Sequence, residues 1–450
     1  MLDFIDLFAG LGGFHKALHE LGHRCVFASE INPELRTLYK KNWGLTPSGD
    51  IKKIVEKEID SIPKHDILCA GFPCQPFSHA GKQEGRTDTE RGNLFDEIVK
   101  IIRYHKPKFF ILENVPFIRK HDNEITWDYI VNQLTKKLDN GTRYEIDYTQ
   151  YSPHQFGVPQ HRKRVFIVGS LSGLSHFSFT EVNKLKTSVV NINEFLDQNP
   201  GEAKNISKKN IECLNLWQRF IDNIPKEINI PGFPIWAMEF GATYPYKKIN
   251  PHIMRADQLG KFKGNFGISL KGLKKREQLA LLPSYARTKK KFPEWKKKWI
   301  EQNRQFYKDN KTSINQIVME ISKLEFQSWQ KLEWNVGTSE RRIYDYILQF
   351  RASGIRIKKA NFFPSLVCPA TQIPIIGWQL RYITKMEGLK LQSLEGIELP
   401  ATDNSAFKAL GNAVNSRIVK LIASLLIVEK KQNEISLQEH ISLSRLSEIA

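Results

Sequence analysis

Four short stretches of this chain carry side chains whose types and spacing could do chemistry. In GFPCQPFS (71–78) a thiol, Cys74, stands between Pro73 and Pro76. The prolines fix the backbone and remove N–H donors, so the sulfur is held in a stiff turn. A lone cysteine is more often a small buried hydrophobe. Here the polar, glycine-bearing SHAGKQEGRTDTERG (78–92) behind it argues for an accessible nucleophile beside a mobile lid. LENV (112–115) ends an apolar run on a carboxylate, Glu113, followed by Asn114. In QHRKR (160–164), Arg162 and Arg164 are two residues apart. On a strand they point the same way and could clamp a carbonyl or a phosphate. DLFAGLGGF (6–14) sets Gly10, Gly12 and Gly13 directly after an apolar run. Glu30 follows ~20 residues later, where a ribose acceptor belongs beside a nucleoside-binding loop. The FxGxGG spacing is not the GxGxxG of dinucleotide enzymes. Asp50, in SGDI (48–51), could accept from an adenine amino group or simply shape a turn.

The elements that must position these groups are legible around them. FIDLF (4–8), CVFAS (25–29), HDILCAG (65–71), KFFILEN (108–114) and RVFIVGS (164–170) read as strands. Helices are expected from about Phe14 to Leu21, after Pro33, and over 94–105. Strand alternating with helix predicts an α/β domain, a parallel sheet covered by helices on both faces. Cys74, Glu113 and the glycine loop then all lie at the strand ends where open α/β sheets bind ligands. Beyond residue 183 the periodicity weakens, although KKFPEWKKKWIEQNRQFYK (290–308) reads as a basic helix beginning after Pro293. Order returns over 401–430 as a loop, a Gly-Asn turn and an apolar helix.

Composition narrows the class. The 450 residues carry a net charge of +19. Between 183 and 380 there are 34 Lys and Arg against 17 Asp and Glu, so +17 of that excess lies in the middle of the chain. A basic block of this kind suggests a polyanion held through its phosphates, most simply nucleic acid. Five scattered cysteines without a CxxC pair argue against a disulfide framework or a zinc site, and for a reducing compartment. No signal peptide or membrane span is expected.

In order along the chain, DLFAGLGGF, GFPCQPFS, ENV, QHRKRVFIVG and a late GNAV (411–414) resemble the motifs of bacterial DNA (cytosine-5) methyltransferases of the restriction–modification type. The resemblance covers 1–170 and about 380–430. It implies a Rossmann-like doubly wound sheet, the S-adenosylmethionine-dependent methyltransferase fold, with an inserted smaller basic target-recognition domain. The implied divisions are a catalytic and cofactor-binding domain at 1–182, recognition at 183–380 and a hinge at 381–404. A helix at 405–430 would return to the first domain, followed by a tail at 431–450.

The resemblance also implies roles. Cys74 would add to C6 of a flipped cytosine, Glu113 would hydrogen-bond N3 and the exocyclic amine, and Arg164 would hold O2 with Arg162 nearby. S-adenosyl-L-methionine, leaving as S-adenosyl-L-homocysteine, would lie against Phe8, Gly10, Leu11, Gly12, Gly13, Glu30, Ile31, Asp50, Ile51, Gly71, Pro73, Leu94, Asn412 and Val414. Arg381 and Glu387 of RYITKMEGLKLQSLEG (381–396) would brace the specificity domain. Ser78, Lys82 and Arg86 of the lid, and Arg287, Lys289 and Lys290 of RTKKKFPEWKKKW (287–299), are expected to touch double-stranded DNA. The tryptophans of the middle segment are expected in its core. A monomeric, cytoplasmic bacterial enzyme, paired functionally with a cognate restriction endonuclease, follows from the same likeness. An RNA methyltransferase would carry a CFT signature and a smaller insert. A dehydrogenase would need GxGxxG, and a silent relative would lack the intact Cys74, Glu113 and Arg164.

Overall fold

The computed structural model describes residues 1–73, 94–188, 191–367 and 372–427. These fall into two compact units. One holds the described residues of Met1–Gln198, Pro364–Ala370 and Lys385–Ala450; the other holds Asn199–Phe363 and Thr371–Thr384.

The first unit runs β1 (Asp3–Leu7), α1 (Gly13–His19), β2 (Arg24–Ser29), α2 (Pro33–Trp43), α3 (Ile51–Lys57), β3 (Ile67–Gly71), α4 (Leu94–His105), β4 (Phe109–Asn114) and α5 (Ile125–Thr135). It continues through β5 (Glu145–Tyr151), the two-residue β6 (Gln160–His161), β7 (Arg164–Ser170), α6 (Phe179–Lys184) and α7 (Ile192–Phe195). Sequence signals set the helix ends. Asn32 caps α2 by accepting the Glu34 N–H at 2.9 Å, Pro33 takes the first helical position, and Gly44 closes the helix in the left-handed region.

Six strands form one sheet in the order β2-β1-β3-β4-β7-β5. The first four are parallel, whereas β7 runs antiparallel to both β4 and β5. The all-parallel expectation is therefore corrected to a mixed sheet. No α-helix intervenes between β5 and β7 to carry the chain back, so the two strands pair antiparallel.

Alternation along the strands divides the core in two. Ile5, Leu7, Leu68, Ala70, Phe110 and Leu112 pack with Ile98, Ile102 and Ile130 of α4 and α5. Phe4, Ile67, Cys69, Ile111 and Val168 pack with Phe14 and Leu18 of α1 and with residues near 418–426. Each fully buried side chain of this size contributes about 1.5–3 kcal/mol. The strand order reverses at β1, which makes the crevice at the C-terminal ends of β1 and β3 the switch point of the sheet.

The second unit contains α8 (Lys208–Asp222), β8 (Ile235–Trp236), α9 (Ala256–Leu259), α10 (Lys275–Ala280), α11 (Glu294–Ile321), β9 (Lys331–Asn335), β10 (Ile347–Arg351) and β11 (Gly354–Lys358). After β12 (Phe363–Pro364) come β13 (Ile375–Ile376) and β14 (Arg381–Tyr382). Its sheet has the order β14-β13-β10-β11-β9-β8. Trp217 and Phe220 of α8 and Ile314 and Val318 of α11 bury one face against Leu332, Trp334, Ile355 and Ile357. The basic helix expected over 290–308 begins after Pro293 and runs on to Ile321. Trp217, Trp236 and Trp334 are core residues, while Trp295 is half exposed. The stretch expected as a hinge contains α12 (Lys385–Gln392), and where a loop, a Gly-Asn turn and one apolar helix were expected there are two helices, α13 (Asp403–Asn412) and α14 (Ser416–Leu426), the last capped by Asn415. Among the described residues no helix is long and apolar enough to cross a membrane.

Candidate active site

The site is built at the C-terminal edge of β1, β2, β3 and β4, within the first unit. After β1 the chain turns sharply. Phe8 and Gly10 take φ of 57° and 53°, and Gly12 enters α1 at φ 82°. A bulky residue in the left-handed region is strained, and such strain persists where the surroundings enforce it. At Gly12 there is no room for a side chain, since a Cβ would lie 2.4 Å from Trp43 Nε1, which donates to the Leu11 carbonyl at 3.3 Å. A Cβ on Gly13 would meet the Val414 carbonyl oxygen at 2.4 Å. These glycines are thus demanded by close packing against α2 and the α13–α14 junction.

Glu30, at the end of β2, ties the neighbouring turns together. Its Oε2 accepts the Gly10 N–H at 3.0 Å and its Oε1 the Asn32 N–H at 2.8 Å. Each oxygen keeps a further lone pair for a hydroxyl. Next to it Ile31 is 70% exposed, an apolar side chain left in solvent. Phe8 is half-buried, and Asp50 caps α3 through Oδ1 to the Lys52 N–H at 3.0 Å, leaving its second oxygen outside that bond. An acid, two apolar walls and a second carboxylate suit a nucleoside-bearing cofactor. Ile51 and Leu11, in contrast, are buried in the protein, with Ile51 in the core beneath α3. Leu94 is half-buried, while Pro73 and Asn412 are exposed.

Beside this crevice, Glu113 ends β4 opposite Gly71 of β3. Its carboxylate is 7% exposed and pairs with Arg164 at the start of β7, Oε1 to Nε 2.9 Å. Burial raises its pKa, and this outweighs the opposing pull of Arg164 and Arg162. A Cβ on Gly71 would lie 2.9 Å from Val414 Cγ2 and 3.6 Å from Glu113 Oε2, so Val414 closes against the strand end. Asn114 donates from Nδ2 to the Phe72 carbonyl at 3.2 Å and accepts the Val115 N–H at 2.8 Å. It therefore fixes the backbone two residues before Cys74.

Cys74 and Ser78, Lys82 and Arg86, expected in a lid, lie outside the described residues. Three other thiols are described, and burial suppresses ionisation of each. It pushes Cys25 and Cys213 up to about 12 and Cys69 well above the ordinary thiol value. The thiolate is the nucleophilic form, so none of these three serves at neutral pH.

Two expected roles are altered by the geometry. The Arg162 guanidinium is buried and donates to the carbonyls of Ala413 at 2.9 Å and Leu366 at 3.3 Å. Its fork is spent clamping the backbone next to GNAV, and Arg164 alone reaches Glu113 in an ion pair. The spacing of two put both at one edge, but the buried carbonyls captured the deeper one. In the second unit, Arg287 donates to the carbonyls of Leu282 and Ala280, both at 2.8 Å, so it stabilises a helix end. Lys289 and Lys290 are exposed. Arg381 is buried and donates to Gln379 Oε1 at 2.7 Å, and buried Glu387 accepts the Asp197 N–H at 3.1 Å.

One cluster escaped the sequence reading. Asp6 is fully buried within β1, accepting from Tyr39 Oη at 3.3 Å, while Tyr39 Oη lies 2.7 Å from His15 Nδ1. Burial drives the Asp6 pKa well up and that of His15 down to about 3, so this network under the glycine loop holds little net charge. A charged residue inside the apolar FIDLF run was the available signal.

Comparison with known proteins gives the setting of this site. The model of the family described as C-5 cytosine-specific DNA methylase matches residues 2–427. Type II methyltransferase M.MspI of Moraxella sp is 46% identical over 176 residues, 39% of this chain and 40% of that one. M.HpaII of Haemophilus parainfluenzae is 45% identical over 181 residues, 40% of this chain and 49% of its own length. M.HhaI of Haemophilus parahaemolyticus is 37% identical over 235 residues, 51% of this chain and 67% of its own. The chain thus spans less than half the length of the first two relatives in these matches.

Proposed function

The chain belongs to the C-5 cytosine-specific DNA methylase family, and we propose that it methylates C5 of a cytosine within a short double-stranded DNA sequence. The observation that carries this reading is the buried Glu113–Arg164 pair at the strand edge from which the chain leads into Cys74. S-adenosyl-L-methionine, when bound, supplies an electrophilic methyl group. Glu30, Ile31, Phe8 and Asp50 are the residues that would hold its nucleoside, with the Gly10–Gly13 turn beneath the rest.

Cytosine C5 is a poor nucleophile. Addition of the Cys74 thiolate to C6 would make it enamine-like. Glu113, whose pKa burial raises against the pull of Arg164 and Arg162, would hydrogen-bond N3 and the exocyclic amine as charge develops at N3, and Arg164 would hold O2. Loss of the C5 proton to a base, followed by β-elimination, then frees the cysteine. Reaching the ring demands that the base leave the stack. Asn114 would act as a positioning residue for the Pro73–Cys74 turn. Protection of host DNA from a cognate restriction endonuclease, by a monomeric cytoplasmic enzyme, completes the proposal.

The test is base-resolution cytosine-methylation sequencing of DNA from cells expressing the wild type or Cys74→Ser. A short motif methylated at C5 by the wild type alone is the expected result. No new methylation by a soluble wild-type protein that binds S-adenosylmethionine would defeat the reading.

A further inference from the structure

The sheet of the second unit has two unlike faces. Leu332, Trp334, Ile355, Ile357, Leu348 and Phe350 face the helices α8 and α11. The residues between them face the other way and are charged or polar apart from Gly354; Gln349 among them is 3% exposed and donates to the Gln372 carbonyl at 2.7 Å. Glu333 of β9 sits beside Arg356 of β11, which sits beside Gln349 of β10; Asn335 sits beside Lys358 in the next row. In the row on the other side, Lys331 abuts Gly354, where a Cβ would meet that of Lys331 at 2.8 Å, and Gly354 pairs with Arg351. Four cations thus share one face with a single acid.

That acid is engaged twice. Glu333 pairs with Arg351, which is 13% exposed, and at 3.2 Å with Arg356 Nε. It holds both guanidinium groups in place, while the outer N–H groups of Arg356 make no hydrogen bond among the described residues. Lys331 and Lys358 have no acidic partner within ion-pair distance among those residues. Both are partly desolvated, Lys358 enough to bring its pKa down to about 8 with Arg356 as its charged neighbour. Lys331 Nζ lies over the Trp236 and Tyr285 rings at 5.8 and 5.9 Å, and Lys358 Nζ over Phe362 at 5.6 Å; these ring faces offset part of the desolvation and leave each charge able to take an anion.

Spacing identifies the anion. Lys331 and the Lys358 row are four residues apart along β9, roughly 13 Å at the rise of a strand. The major groove of B-DNA is about 12 Å wide and admits a β-ribbon. We propose that the β9–β11–β10 face is where the second unit engages duplex DNA, Lys331 and Lys358 on phosphates of the two backbones and Arg356 on a base edge between them. This rests on the methyltransferase reading and centres the contact on the sheet face; of the lysine run at 287–299, Lys296 lies over the same Tyr285 ring as Lys331. There Arg287 serves carbonyls and Lys297 pairs with Glu294 at 2.7 Å.

The experiment measures binding of the full chain to a short mixed-sequence duplex by fluorescence anisotropy over a range of salt, with the methylated motif read by sequencing. Lys331→Gln and Lys358→Gln should each lower the slope of log K against log salt by about 1, and Lys358→Arg should restore it. Lys311→Gln, the same charge change at an exposed position of α11, should leave the slope alone. Arg356→Gln should relax one position of the motif, roughly 5- to 150-fold in discrimination. Unchanged thermal melts and far-ultraviolet circular dichroism in each show that the variants fold. Wild-type slopes in both lysine variants, with methylation intact, would overturn this inference and spare the functional reading. A wild type that neither binds nor methylates duplex DNA would overturn both.

Discussion

Replacing Glu113 by Gln removes the ionisable carboxyl, and with it the ion pair to Arg164, while keeping the shape of the side chain. The carboxylate is 7% exposed and 2.9 Å from Arg164 Nε. Stripping a fully buried pair of one partner costs about 3–5 kcal/mol. Arg164 is 18% exposed and finds some water, which reduces the expected loss of stability to about 1–3 kcal/mol. Catalysis should suffer more. An amide still donates to N3 but surrenders no proton, so kcat should fall about 10²- to 10⁴-fold with little change in KM for DNA. The pH dependence carries a sign. Burial raises the folded pKa of Glu113 above that of the free carboxyl. The stability linked to its proton is therefore present below the free value and lost as pH rises through the raised one. Glu113→Gln should lack that change, and the acid-form limb of the rate should vanish with it. Methyl transfer from radiolabelled cofactor and thermal melts across pH read both effects. A variant with wild-type kcat, or one whose whole deficit lies in DNA affinity, would refute the assignment of Glu113 as proton donor.

Other residues give separate tests. Gly12→Ala would set a Cβ 2.4 Å from Trp43 Nε1 at φ 82°. A loss of about 1–3 kcal/mol in urea unfolding is expected, together with weaker cofactor binding by calorimetry. Glu30→Ala removes charge-assisted bonds to Gly10 and Asn32. At about 1.5–3 kcal/mol for such a bond, cofactor affinity should fall at least tenfold. Arg162→Ala uncovers the buried carbonyls of Ala413 and Leu366 and should cost about 2–4 kcal/mol in denaturant melts; Arg162→Lys, lacking the fork, should recover only a small part of it.

Local pattern in the sequence determined β1, β3 and β4, because apolar runs ending in glycine, proline or acid mark strand ends without reference to the rest of the chain. Helix α4 falls at 94–105 as its amphipathic period predicts. Strand direction is not a local property, so the antiparallel β5 and β7 emerged only from pairing. The same holds for Arg162 and Arg164, identical in type and two residues apart. Burial and competing carbonyls gave one a clamp and the other an ion pair. The EIDYTQY strand (145–151) was missed because its burial is intermittent. The charged face of the second sheet hid within a lysine-rich composition. Each cation there lies on a strand too short to announce its period, and only the register of β9, β11 and β10 gathers them. Val414 meets Gly13 and Gly71 across 401 and 343 residues of chain. Composition sets which groups are available and where charge accumulates; which of them share a surface depends on contacts between distant segments, and folding alone supplies those.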